Sequence, residues 1–380
     1  MMVSVIAALS ACIWVGLLVT PWQPWRVRER LEAGSADSGT DLSEVTVLIP
    51  ARNEASVLKE TLAALRQQGE GLNVIVVDDD SDDETAQVAR GAGIASLKVV
   101  SGGPLPDGWT GKLWALEQGR QYVETPLTLL LDADIELKPG MLDAVRDKQQ
   151  SDSRDLVSVM AWLRMHSFWE RLLIPAFIYF FRLLYPFSLS NRGVRIAAAA
   201  AGGCVMLRTT MLERIGGFGA LRGALIDDCT LALRVQEAGG STWVGATRSA
   251  VSLRGYDRLA PIWSMVARTA FTQLRYSSVW LVICTLAFAL AFAGPWVGLT
   301  MGSTTAMALS LVALVSMFAS YLPTLYYYGL SFAWTFLLPL IAGLYLAMTW
   351  DSALRYWRGI RSQWRGRVYG RSAPEDEAST

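Results

Sequence analysis

No Asp, Glu, Lys or Arg occurs between Arg275 and Asp351. A membrane-crossing helix needs about 20 apolar residues to cover roughly 30 Å of hydrocarbon, so this block holds at least two crossings. It divides at Gly302-Ser303 and near Gly329-Leu330, giving candidate spans at about 279–301, 305–328 and 332–350. A second uncharged stretch runs from Met1 to Thr20 and ends at Pro21. It lacks the basic start and small-residue cleavage site of a secretory signal, which predicts a retained anchor over 1–22. Arg26, Arg28 and Arg30 follow it, and by the positive-inside rule the middle of the chain faces the cytoplasm. A hydrophobic content of 52% agrees with a multi-pass membrane protein.

The far end of the block brings two rules into conflict. Arg355, Arg358, Arg361, Arg365, Arg367 and Arg371, interleaved with Trp357 and Trp364, make 351–380 a basic and then acidic tail. Three crossings would place these arginines outside, against the positive-inside rule. Either one segment is re-entrant or interfacial, or the tail breaks the rule. The tail itself reads either as an amphipathic segment on anionic headgroups or as a solvated topology signal. The formal net charge is zero, so nothing points to nucleic acid. Cys12, Cys204, Cys229 and Cys284 have no metal-type spacing and read as reduced, buried thiols.

Between the membrane segments the pattern changes. A Gly/Ser/Asp/Thr-rich linker closes the interval 23–43, and 44–258 alternates short apolar runs with helical periodicity. Strands are expected at 45–49, 74–77, 97–100 and 127–131, helices at 56–67, 84–90, 112–122, 140–149 and 227–238, and an extended stretch at 242–253. Continuous apolar strands alternating with helices predict an α/β domain with a mostly parallel sheet covered on both faces. The Ala/Gly-rich run 196–207 suggests closely approaching backbone. Residues 167–188 are apolar yet hold Glu170, Arg171, Arg182, Pro175 and Pro186, which reads as an interfacial segment or as a helix buried against the domain. Residues 259–278 lead into the membrane.

Ligands of such sheets bind at the carboxyl ends of strands. The first strand ends in Pro50, Ala51, Arg52, Asn53 and Glu54, the second in Asp78, Asp79 and Asp80, and the fourth in Asp132, Ala133 and Asp134. Packed carboxylates repel one another and are costly to take from water without a cation. A hard divalent ion, Mg²⁺ or Mn²⁺, takes one or two carboxylates and completes its shell with phosphate oxygens and water. His166, the lone histidine, has no partner motif and reads as structural.

The segments PARNE (50–54), VVDDDSDDET (76–85), GKLWA (111–115), LLLDAD (129–134) and IDDCTLALR (226–234) resemble, in order, the family-two glycosyltransferases of the GT-A fold. At finer grain, GWTGKLWAL, WERLLIPAFIYFFRLLYP, AAAAAGGC, GALIDD and RTAFTQLRYS resemble the bacterial hopene-associated glycosyltransferases across nearly the whole chain. The resemblance implies a nucleotide-diphosphate sugar donor bound by Pro50–Glu54, Asp78–Asp80, Lys112 and Asp132–Asp134, with Asp132 and Asp134 on the metal. It also implies that Asp228, supported by Asp227, is the general base of an inverting transfer to a lipid hydroxyl, such as a hopanoid. Polyprenyl phosphate, diacylglycerol and a carotenoid alcohol remain alternative acceptors. The setting implied is the bacterial inner membrane, with the catalytic domain in the cytoplasm.

One departure concerns the acceptor side. Processive members carry Q-x-x-R-W before their spans, whereas Gln273-Leu274-Arg275-Tyr276 is one residue tighter and ends in Tyr. Gln273, Arg275 and Tyr276 are therefore either acceptor-side residues or membrane-interface residues, and a long-polymer synthase is disfavoured. A non-catalytic scaffold would have lost its carboxylates, and all of them are present. A transporter would carry charges within its spans.

Overall fold

The computed structural model describes residues 1–34, 39–364 and 367–370. Arg365 and Arg371 of the basic tail, and part of the expected linker, lie outside the described residues.

Eight strands form one sheet: β1 (Val45–Ala51), β2 (Asn73–Asp78), β3 (Leu97–Ser101), β4 (Leu127–Leu131), β5 (Ile135–Leu137), β6 (Leu156–Trp162), β7 (Cys204–Arg208) and β8 (Thr242–Ser252). Their order is β3-β2-β1-β4-β7-β6-β8-β5. The four strands expected from apolar runs form the parallel half, with β1 between β2 and β4. The remaining half is mixed: β7 is antiparallel to both β4 and β6, β6 and β8 are parallel, and β5 is antiparallel to β8. Strands β5 and β6 were not expected, and β7 lies inside and just beyond the Ala/Gly run.

Burial explains why the parallel strands read as continuous apolar runs. Every residue of β1 is buried. Val45, Val47 and Ile49 face a core closed by the helices Ala55–Leu65 and Met141–Ser151, while Leu48 faces a second core under the helices Gly111–Arg120 and Asp227–Glu237. A sheet covered on both faces leaves no room for polar alternation.

Five helices are long and apolar enough to cross a membrane: Met2–Val19, Phe168–Ser190, Ser278–Met301, Thr304–Tyr327 and Phe332–Trp357. The N-terminal helix packs along Ser278–Met301. A π-turn at Ala289–Ala293 and the missing N–H of Pro295 interrupt that helix, and the N-terminal helix serves the exposed carbonyls. The Ser10 hydroxyl lies 2.7 Å from the Leu290 carbonyl, and the Trp14 indole N–H donates to the Ala291 carbonyl at 2.7 Å.

The helix Phe168–Leu184 is largely enclosed. Its Tyr179 hydroxyl meets Ser320 at 2.7 Å, and the Tyr345 hydroxyl donates to Leu173 O at 2.8 Å. Ser167 and Glu170 form a capping box at its start. The fully buried Glu170 also accepts from the N–H groups of His166 and Tyr256, which ties the helix to the loop after β8. His166 thus contributes a structural N–H. Residues 29–32 are tied to β8: Leu31 N donates to Ala246 O, Ala246 N to Glu29 O, and Glu32 accepts from Arg248 N.

Candidate active site

A cavity of about 910 Å³ opens where β1, β4 and β8 end, and Pro50, Glu54, Lys112, Asp132, Ala133, Asp134, Asp227 and Asp228 all line it. Thr110 caps the helix Gly111–Arg120 through its side chain, so Lys112 sits in the first turn. A cation there opposes the helix dipole, and three carboxylates offset this. Lys112 Nζ is 2.8 Å from Asp132 Oδ1 and 3.7 Å from Asp227 Oδ2. Burial disfavours the ammonium, but Asp132, Asp227 and Asp228 outweigh burial and hold Lys112 above its ordinary range.

Asp227 and Asp228 open their own helix, where the positive dipole end favours carboxylates. Asp228 accepts from Gly202 N at 2.9 Å and Cys229 N at 2.8 Å. Its pKa is pushed up to about 6 by burial and then by Asp227, against the pull of the Cys229 N–H, Lys112 and the Gly202 N–H. A carboxylate poised there can accept a proton near neutral pH. The close backbone approach expected at 196–207 occurs at Gly202: a Cβ on it would sit 3.4 Å from both Asp228 Oδ2 and Lys112 Nζ.

Asp132 follows β4 directly, its N–H bonded to Gly203 O, and burial followed by the nearby Asp134 raises its pKa despite Lys112. Asp134 is held differently. Its Oδ2 accepts from Ser252 Oγ at 3.1 Å and from Arg254 Nε at 3.0 Å, and Arg254 Nη2 reaches Glu54 Oε1 at 3.0 Å. Sequence reasoning passed over Arg254. The available signal was its place as the first charged residue after the extended stretch 242–253, at the sheet end that carries the acids. Among the described residues no group of three or more His, Cys, Asp or Glu is arranged to hold a metal. Two carboxylates beside a substrate cavity nevertheless fit an ion whose other ligands come from a diphosphate.

Ala51, Arg52, Asn53, Asp78, Asp79 and Asp80 are not among the residues lining the cavity; they build the loops beside it. Arg52 donates to the carbonyls of Asp79 and Asp80, Asn53 N donates to Ser81 Oγ at 3.0 Å, and Asp82 N donates to Asn53 Oδ1 at 2.8 Å. Asp79 is fully buried, whereas the Asp80 side chain is exposed.

The structure does not place Gln273, Arg275 or Tyr276 on the cavity wall. Gln273 stands one residue back: its Oε1 accepts from Tyr185 Oη at 2.7 Å, and Asp228 and Cys229 are near enough to Tyr185 to act on its titration. Arg275 and Tyr276 adopt positive φ in a tight turn, where Tyr276 stacks on Tyr356 at 4.5 Å. Neither residue lines the cavity, which the Gln273-Leu274-Arg275 spacing alone could not reveal. The cavity also has apolar lining, with Phe177, Ile178 and Phe181 from one helix and Met265 from Leu259–Ala267, beside the charged Arg268, Asp351, Arg355 and Arg358.

Residues 46–216 match glycosyl transferase family 2. The 4,4'-diaponeurosporenoate glycosyltransferase of Staphylococcus haemolyticus (strain JCSC1435) is 30% identical over 159 residues, 41% of this chain and 42% of that enzyme. The enzyme of the same name from Staphylococcus aureus (strain USA300) is 34% identical over 129 residues, 33% of this chain and 34% of that one. The chain therefore spans less than half the length of these relatives. The solved mannosyltransferase PcManGT from Pyrobaculum calidifontis, in complex with GDP-Man and Mn²⁺, shares the fold with a TM-score of 0.55 at 17% identity, over 93% of this chain and 99% of that one. The sheet, the strand-end acids and the matched segment agree: residues 46–216 are similar to glycosyl transferase family 2, and the domain has the GT-A fold.

Proposed function

We propose that the chain transfers a sugar, with inversion, from a nucleotide-diphosphate donor to a lipid at the cytoplasmic face of a bacterial membrane. The observation that carries this reading is one cavity lined by two unlike sets of side chains: the charged Lys112, Asp132, Asp227 and Asp228, and the apolar Phe177, Ile178, Phe181 and Met265. The first suits a diphosphate and a proton transfer, and the second suits an apolar acceptor.

Asp228 takes the proton of the acceptor hydroxyl, the acceptor oxygen bonds to the anomeric carbon, and the bond to the diphosphate breaks with its electrons leaving on phosphate. Lys112 neutralises the charge that develops there. Asp132 and Asp134 would hold a divalent ion, which supplies further neutralising charge to the leaving group. Arg52 and Asn53 brace the loops beneath the nucleotide. The names of the curated relatives favour a carotenoid-type acceptor over the hopanoid implied by the finer motif resemblance.

For the membrane we propose crossings at Met2–Val19, Ser278–Met301 and Thr304–Tyr327, with Phe332–Trp357 lying along the interface. Both ends of that last helix touch the catalytic side: Trp334 packs on Phe168 at 5.8 Å, and Tyr356 packs on Tyr276. This arrangement keeps Arg355 and Arg358 inside and removes the conflict with the positive-inside rule.

Membranes containing the protein, given labelled UDP-glucose, UDP-GlcNAc or GDP-mannose with and without Mn²⁺ and either carotenoid or hopanoid lipid, provide the test. Labelled lipid with release of nucleoside diphosphate is expected. Absence of transfer from every donor to either lipid would refute the reading.

A further inference from the structure

Asp134 lines the cavity, yet a cation already holds it. The Arg254 guanidinium lies 3.0 Å from Asp134 Oδ2 through Nε and 3.0 Å from Glu54 Oε1 through Nη2. Both carboxylate residues are buried, and Ser252 Oγ fixes Asp134 from the other side at 3.1 Å. A guanidinium does not lose its proton in proteins, so Arg254 carries a fixed positive charge. A divalent ion on Asp134 would meet this fixed positive charge at close range, where like charges in a partly dehydrated site repel strongly. Asp132 is partly neutralised as well, because Lys112 lies 2.8 Å from its Oδ1.

A donor changes the balance. Its diphosphate brings several anionic oxygens into the cavity that Arg254 lines, and guanidinium pairs with phosphate through two parallel hydrogen bonds. We infer that Arg254 is a positioning residue that bridges Asp134 and Glu54 and moves onto the donor diphosphate when the donor binds, so that a divalent ion binds only after or together with the nucleotide. The inference rests on the reading of Asp132 and Asp134 as metal-holding carboxylates. It adds an order of binding and a residue that enforces it.

Mn²⁺ affinity, read by the electron-paramagnetic signal of free Mn²⁺, tests the latch without any turnover. The full-length protein in detergent is titrated with Mn²⁺ alone, with UDP and with GDP, as wild type, Arg254→Gln and Arg254→Lys. Wild type is expected to bind Mn²⁺ at least tenfold more tightly with one of the two nucleotides than without. Arg254→Gln is expected to bind Mn²⁺ alone at least tenfold more tightly than wild type, with the nucleotide effect reduced. Arg254→Lys keeps the charge but cannot bridge both carboxylates, and should fall between. A merely structural role for Arg254 would weaken Mn²⁺ binding in every condition. Equal wild-type affinity with and without nucleotide overturns the latch even if neither variant folds. Nucleotide-assisted binding in wild type with no gain in folded Arg254→Gln overturns the latch alone. No Mn²⁺ binding in any condition overturns the metal reading together with it.

Discussion

The Lys112 ammonium lies 2.8 Å from Asp132 and joins two elements that sequence places far apart, the start of the helix Gly111–Arg120 and the end of β4. The same ammonium lowers the pKa of Asp228. Lys112→Met should therefore weaken donor binding and also move the acid limb of kcat/KM, expected near pH 6 in wild type, to higher pH. Transfer should drop by about 10²–10³-fold, the usual cost of losing one preorganised charge at a leaving group. A pH–rate profile for both proteins checks this; an unshifted limb would separate Lys112 from the base.

Asp228→Asn should reduce transfer by about 10²–10⁴-fold, the range for a lost general base, and leave nucleotide binding intact. Its stability should move in the opposite direction. A carboxyl raised from 3.8 to about 6 favours the fold fully below its unfolded pKa, and this contribution disappears as pH rises through about 6. Asn carries no charge to bury, so its melting temperature should exceed wild type at pH 7.5 and lose that advantage near pH 4. The gain is at most about 3 kcal/mol. Paired melting curves at the two pH values measure it.

Gly119 allows the helix bearing Lys112 to lie close on the sheet. A Cβ there would come within 2.3 Å of Leu48 Cδ1 and 2.7 Å of Val77 Cγ2. Val77 is β-branched and stiff, so Gly119→Ala should cost about 1–3 kcal/mol by overpacking. It should also lower transfer by lifting Lys112 off Asp132. Thermal unfolding and donor-binding assays report the two effects separately.

Trp14→Phe keeps an aromatic ring against Phe292, now 5.1 Å away, but removes the N–H given to Ala291 O. That carbonyl has lost its usual helical partner to Pro295, and the missing bond should cost about 1–3 kcal/mol. Melting in detergent should show the loss, while kcat of the folded fraction stays near wild type.

With Phe332–Trp357 along the interface, a fluorescent-protein fusion to the C-terminus should fold and fluoresce in the cytoplasm. An alkaline phosphatase fusion at the same point should be inactive. An active phosphatase would require a third C-terminal crossing.

The parallel half of the sheet was legible because β1, β2 and β4 are buried on both faces and so read as unbroken apolar runs that end in acids. The acids of 132–134 could be located for the same reason, because they end such a strand, whereas Lys112 and the pair Asp227-Asp228 were marked by the family resemblance at the starts of two helices. Strand β6 escaped notice because Ser158 interrupts its apolar run, and its hydroxyl is satisfied only by Ala201, far along the chain. Arg254 left only a weak signal, its place just after the extended stretch 242–253, and nothing in the apolar segment 167–188 marked Phe177 and Phe181 as cavity residues. An ion pair that joins Arg254 to Asp134 and Glu54 spans strand ends that only the mixed half of the sheet brings together, and Gln273 could not be separated from the site until Tyr185 was seen between them. Local periodicity and strand-end chemistry therefore determined the class of fold and the carboxylates. Which charges neutralise one another, and which side chains line the cavity, was decided by long-range packing.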